Sequence, residues 1–256
     1  MNTPYPSLTE LNDFLRTELS ADRYPNDEQG GVYSPSERPI RRIGLALEPF
    51  SGLADWVDAQ QLDALWLHRP WQLNLDDLPS DVGVLSHHLP FDETLTIGYN
   101  KQLAREPGAA SPGKPLGFKR ATNEAGELLP ERPIGMFIDV PPQEFDGLLE
   151  TMKKLFGGYD RAEAGPGLGG WRPTSNRIAV VGAMNDTLIR EAADQGADLF
   201  LTGAYRKPAQ QAVDATGIAV VAVGHQRVEE WGLQALAELL QKRWNIDCLI
   251  YRQPVR

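Results

Sequence analysis

The sequence predicts an α/β protein made of two similar halves, in which strands of mixed sheets alternate with the helices that cover them. Three observations carry this expectation. Short apolar runs recur down the chain, separated by stretches with helical periodicity. Moving the sequence by 135 residues lays Arg42-Ile43 on Arg177-Ile178, Leu53 on Leu188, Gln60 on Gln195 and Asp63 on Asp198 without a gap. After a gap of two residues, His88 falls on His225 and Asp92 on Glu229, so each half ends in a histidine followed four residues later by an acid.

The elements follow in order. Ser7 to Leu19 reads as a helix, because Leu8, Leu11, Phe14, Leu15 and Leu19 recur at three- and four-residue steps. Ser7 and Glu10 fit a capping box at its start. Arg23 to Pro39 is polar and turn-rich, and is expected to be loop. A strand at Ile43 to Leu47, a helix from Leu53 to Gln61 and a strand at Ala64 to Leu67 come next. A further strand, Val82 to Leu85, leads into His87-His88; Pro90 then marks a turn, and a helix is expected from Thr96 to Ala104.

Glu106 to Gly126 is rich in Gly, Pro and Ala and reads as a loop or an inserted hairpin. Ile134 to Val140 is a strand, and Pro142 to Phe156 a helix with Phe145, Leu148, Leu149, Met152 and Leu155 on one face. Gly157 to Pro173 is again glycine-rich. The second half replays the first, with strands at Arg177 to Val181, Leu199 to Thr202, Ile218 to Val223 and Cys248 to Tyr251. Its helices are expected at Asp186 to Gln195, Pro208 to Thr216 and Val228 to Trp244. This divides the chain into a first half (1–105), a connection with one strand–helix unit (106–176) and a second half (177–256) packing with the first around a shared site.

Composition excludes several function classes. The 256 residues carry 25 basic and 35 acidic side chains, a net charge of -10. Such a chain repels phosphate backbones, and neither Arg41-Arg42 nor Lys153-Lys154 makes a basic patch, so nucleic acid is not an expected partner. The single cysteine, Cys248, forms no internal disulfide and reads as a small buried hydrophobe. Met1 to Leu15 lacks a charged-then-apolar leader pattern, and no apolar run approaches the roughly 18 residues of a membrane span. A cytoplasmic location is expected, with no membrane contact.

The chemistry concentrates on histidines. All four, His68, His87, His88 and His225, follow apolar strands, and in α/β sheets the carboxyl ends of strands are where ligands are held. His225 and Glu229 are four residues apart at a strand-to-helix junction, so one helical turn puts them on one side. His88 and Asp92 repeat the spacing. Imidazole with carboxylate suits Zn, Mn or Fe, and one cysteine cannot supply a thiolate site. His87 reads as structural or as a support behind the ligands, since neighbours on an extended strand face opposite ways. The run Gly165 to Gly170 lacks a following Lys-Ser/Thr and is no P-loop, and no Gly-x-Ser-x-Gly motif is present.

Three stretches together resemble the NIF-three-like dinuclear metal-centre family, some members of which bear the name GTP cyclohydrolase type 2. They are HLPFDETLTIGYNKQLA (His88 to Ala104), GADLFLTG (Gly196 to Gly203) and GHQRVEEWGLQAL (Gly224 to Leu236). The resemblance implies a duplicated α/β fold, two metals between the halves and a ring-shaped homohexamer. It carries the metal ligands over to His68, Asp92, His225 and Glu229. Where the family has a second adjacent histidine this chain has Arg69, which offers no lone pair. The family's acid after Thr-Gly is Ala204 here, and an expected histidine further on is Gln211.

The expectation is therefore one divalent ion per chain held tightly and a second held weakly or not at all. Arg69, with His88, would meet an anionic substrate, or Arg69 would pair with Asp92 or Glu229 in a degenerate centre. Two functions are carried forward. One is a metal-dependent hydrolase of a nucleotide or other anionic substrate, with Glu229 and Asp92 as catalytic groups. The other is a non-catalytic metal-binding scaffold or regulatory protein.

Overall fold

The structure is a computed structural model that describes residues 5–108, 113–165 and 171–252. Two compact units divide the chain: Met1–Phe91, Ala121–Pro130 and Gly232–Arg256 form the first, and Asp92–Arg120 with Glu131–Trp231 the second. Each unit is a sheet covered by helices, as the sequence predicts.

In the first unit, helix α1 (Leu8–Glu18) begins at the expected capping box: Glu10 N–H donates to Ser7 Oγ at 3.2 Å and Ser7 N–H to Glu10 Oε2 at 2.8 Å. Its leucines Leu8, Leu11 and Leu15 are buried. A one-turn helix α2 (Asn26–Gln29) and strand β1 (Gly31–Ser34) follow, where a loop is expected from the sequence. β1 is a four-residue edge strand with an irregularity between Val32 and Ser34, too short and too exposed to show an alternating pattern. Next come β2 (Arg42–Ala46), α3 (Leu53–Gln60), β3 (Ala64–Leu67) and β4 (Gly83–Ser86).

Helix α4 (His88–Leu95) occupies the stretch expected to turn at Pro90. Proline is tolerated there because it sits in the first turn, where an N–H would have no helical acceptor. The helix expected at Thr96 to Ala104 is not formed. Gly98 lies against the end of α4, where an added Cβ would come within 2.4 Å of Glu93 O, and Tyr99 N–H donates back to that carbonyl at 2.9 Å. Asn100 then caps a single 3-10 turn, its Oδ1 accepting from Gln102 N–H at 2.9 Å and Leu103 N–H at 3.1 Å.

The second unit's elements are β5 (Lys114–Lys119), β6 (Arg132–Asp139), α5 (Phe145–Phe156), β7 (Arg161–Glu163), β8 (Arg177–Val181), α6 (Asp186–Asp194), β9 (Leu199–Thr202), α7 (Gln210–Thr216) and β10 (Ala219–Ala222). Helix α8 (His225–Arg243) leads to β11 (Asp247–Ile250), which joins the first sheet beside β2. β5 and β6 are antiparallel, so the hairpin reading of the segment before β6 holds, although residues 109–112 lie outside the described residues. Residues 166–170 of the glycine-rich run lie outside them too.

The sheets have the orders β1-β4-β3-β2-β11 and β5-β6-β8-β9-β10-β7. Three parallel strands, β2-β3-β4 and β8-β9-β10, form the matching core of each, and an antiparallel edge strand, β1 or β7, caps the third. Side chains alternate along β8: Ile178 and Val180 pack with α5, Ala179 and Val181 with α6 and α7. In the first unit Leu65 and Leu67 pack with Leu53 and Val57 of α3.

The identities found by the 135-residue shift have a physical cause. Asp63 Oδ2 accepts from the N–H groups of Arg41 and Arg42 at 2.8 and 2.9 Å. Asp198 Oδ2 does the same for Asn176 and Arg177 at 3.0 and 3.1 Å. Arg42 Nη1 donates to Gln60 O at 2.8 Å, and Arg177 Nη1 to Gln195 O at 3.2 Å. Each aspartate thus ties the start of one strand to the next, and each arginine closes the helix between them.

Cys248 on β11 is partly buried, and burial, with Asp247 adding to it, pushes its thiol up to about 12. At pH 8 only about one thiol in ten thousand would be thiolate. Iodoacetamide is expected to leave the native chain unmodified at that pH and to label it in guanidinium, as intact mass would show. Among the described residues no helix is long and apolar enough to cross a membrane.

Candidate metal centre

His68 directly follows β3, and His88 opens α4 just after β4, so the carboxyl edge of the first sheet presents both imidazoles. Asp92, one helical turn beyond His88 on α4, faces the same way. The ligand atoms of His68, His88 and Asp92 all lie within 4.8 Å of one another, and among the described residues this is the group of three that can hold a metal ion.

Packing fixes His68. Its side chain is fully buried, and its ring lies 4.6 Å from that of His88, 4.9 Å from Phe91 and 6.1 Å from Trp66. Its backbone is held on both sides, with His68 N–H donating to Ala46 O at 3.1 Å and Ser86 Oγ–H donating to His68 O at 3.3 Å. Two imidazoles and a carboxylate form a donor set for Zn, Mn or Fe that leaves coordination positions for water or substrate. The residues present fit such an ion.

His225 and Glu229 pair with each other. His225 opens α8 as His88 opens α4, and its Nε2 stands 3.0 Å from Glu229 Oε1. Glu229 is buried, whereas the His225 side chain is exposed. Arg69, next to His68, gives Nη1 to Glu48 Oε1 at 3.2 Å, and its N–H donates to Leu47 O at 2.8 Å. The sequence reading gave His88 to the substrate; here it stands among the candidate ligands. The signal was already in the repeat, which lays His88 on His225.

His87 is fully buried, and Trp66 Nε1–H donates to its Nδ1 at 3.4 Å. Burial, helped by the charge of Arg16, pushes its pKa down from 6.5 to about 4. The unfolded chain would therefore take up a proton near pH 6.5 that the folded chain refuses until about 4, so this group lowers stability as pH falls through that window. Between pH 7 and 4.5 the metal-free chain is expected to lose about 2 to 3 kcal/mol from this group alone. Urea unfolding of a His87→Gln variant at the two pH values should show that increment removed.

A family model for Duf34/NIF3 (NGG1p interacting factor 3) matches residues 8–254. The chain belongs to that family. A Neisseria meningitidis serogroup B relative named GTP cyclohydrolase 1 type 2 homolog is 26% identical over 245 residues, covering 90% of this chain and 90% of its own. A Pseudomonas aeruginosa relative of the same name is 30% identical over 257 residues, covering 91% and 94%. Among solved structures, the Staphylococcus aureus hypothetical protein SA1388 aligns with a TM-score of 0.72 at 14% identity, covering 98% of this chain and 99% of its own. Reduced HcgD from Methanocaldococcus jannaschii aligns with a TM-score of 0.70 at 19% identity, covering 96% and 97%. These neighbours share the Duf34/NIF3 fold.

Proposed function

We propose that the chain binds a divalent metal ion through His68, His88 and Asp92 and uses it to hydrolyse a small substrate. The observation that carries this reading is the gathering of two imidazoles and a carboxylate within 4.8 Å at the carboxyl edge of a parallel sheet. Bound there, a divalent ion supplies a Lewis acid and lowers the pKa of water it coordinates. His68, locked among Trp66, Phe91 and His88, holds its donor in place and keeps water from that side. Asp92 is partly exposed and can move a proton as well as bind. The names of the relatives, GTP cyclohydrolase 1 type 2 homolog, make ring-opening of a nucleotide base one reaction to try. The family resemblance further suggests a cytoplasmic homohexamer, checked by light scattering on the purified chain.

The test is hydrolysis of a panel of nucleosides, nucleotides and phosphoesters by the chain stripped with chelator, then reloaded with Zn, Mn or Fe. Turnover that vanishes on stripping, returns with one of these ions and is absent in a His88→Ala variant is the expected result. Turnover that survives stripping would contradict it. A second reading, a metal-binding scaffold without catalysis, draws on Arg69: a guanidinium engaged by Glu48 stands where the family's second histidine would be. Metal uptake without turnover on any substrate favours that reading.

A further inference from the structure

A cleft of about 370 Å³ opens against His88, within the first unit. Its lining includes Asp27 and Glu28 of α2, Tyr33 of β1, Trp71, Ser86 and His88, and among the described residues no lysine or arginine lines it. The Trp71 ring stands edge-on to His88, with centroids 5.2 Å apart and planes at 74°. Trp71 is nevertheless 66% exposed and Tyr33 42% exposed. Gly30, at a φ of +72°, lies so close to β4 that a Cβ would come within 2.2 Å of Ser86 O. Glycine there lets β1 begin flat on its neighbour and adds no side chain to the cleft.

Concave walls with exposed aromatic rings and a few polar groups are the pattern of a small-molecule site. The volume suits a single ring system and its sugar better than a peptide. The rings offer a stacking surface that every planar base can use. Two carboxylates accept N–H groups and, with no ion at His88, repel phosphate, so the charge of the metal-free cleft opposes a nucleotide.

We propose that this cleft binds a planar heteroaromatic ring that carries N–H donors and no phosphate. Trp71 and Tyr33 cover the face of the ring, and Asp27 or Glu28 accepts from its N–H groups. The inference rests on the metal reading above, because His88 is both a wall of the cleft and a candidate ligand. It narrows the anionic substrate expected from Arg69 to an uncharged base or nucleoside.

The test is isothermal titration calorimetry on the full chain, loaded with Zn and stripped of it. Cytidine, adenosine and inosine are titrated, each beside its 5′-triphosphate, and the Zn content of every sample is measured by elemental mass spectrometry. At least one nucleoside is expected to bind the stripped chain with a Kd below about 1 mM, about tenfold or more tighter than its triphosphate. Trp71→Ala should weaken it about tenfold while keeping the wild-type Zn content. The Asp27→Asn, Glu28→Gln double variant should lose the preference for nucleoside over triphosphate. A triphosphate that binds the stripped chain as tightly as its nucleoside, no nucleoside binding by any form of the chain, or an unchanged Kd in Trp71→Ala would overturn the proposal. Full Zn content without nucleoside binding would overturn it alone and leave the metal reading standing. Nucleoside bound by a chain that takes up no Zn would uphold the cleft and overturn the metal reading.

Discussion

Alanine in place of His88 or Asp92 is expected to lower the affinity of the chain for Zn by about a hundredfold or more, measured by competition with a chelating dye. Each substitution removes one of three donors held within 4.8 Å. His68→Ala should do the same, but it also empties a buried space between Trp66, Phe91 and His88, so its stability must be measured alongside. His88 and Asp92 are partly exposed, and their loss is expected to leave the fold intact. Affinity that falls with stability across all three variants, rather than with the donor removed, would point to a damaged fold instead of a lost ligand.

Replacing Arg132 with methionine is expected to destabilise the chain by about 3 to 5 kcal/mol, the usual cost of breaking a buried ion pair from one side. Arg132 on β6 is buried, and its Nε donates to Glu93 Oε2 at 2.7 Å. Glu93 is itself largely buried, with Lys119 Nζ at 3.8 Å from its other oxygen. With the guanidinium gone, that carboxylate would stay in a low dielectric with a more distant, half-exposed lysine as counter-charge. The double variant Arg132→Met, Glu93→Leu should recover much of the loss, because it removes the stranded charge. Since Glu93 follows Asp92 on α4, the single variant should also weaken Zn binding more than the double variant does. Guanidinium unfolding together with the dye competition reads both effects. Equal destabilisation by single and double variants would mean that packing, not charge, is what Arg132 provides.

Much of this architecture is legible in the sequence, and the reasons are local. The strands β2, β3, β8 and β9 are buried on both faces and therefore read as unbroken apolar runs. Arg42, Gln60 and Asp63 recur as Arg177, Gln195 and Asp198 because the same hydrogen bonds close each strand–helix–strand unit. What escapes the sequence is what depends on a distant neighbour. β1 and β7 are strands only because β4 and β10 offer them an edge, and their residues, GVYS and RAE, carry no strand pattern. Pro90 argues for a turn in isolation, yet its place in the first turn of α4 makes it compatible with helix.

The candidate centre is legible to the same degree. Histidines after strands, and the His-x3-acid spacing, mark His88, Asp92, His225 and Glu229 from sequence alone. Which of them come together is set by strand order, and strand order is not written in spacing. His88 joins His68 because β3 and β4 are adjacent and parallel, with Ala64 beside Gly83 and Trp66 beside Leu85. Trp71 carries no motif, and only its exposure beside His88 singles it out.

X-ray absorption at the zinc edge of the Zn-loaded chain, recorded for the wild type and for His88→Ala, tests the central claim most directly. The account predicts a shell of nitrogen and oxygen donors at about 2.0–2.1 Å with the outer scattering of two imidazoles, reduced to one imidazole in His88→Ala. A chain that retains no zinc after desalting, or a shell that keeps two imidazoles in His88→Ala, would contradict it.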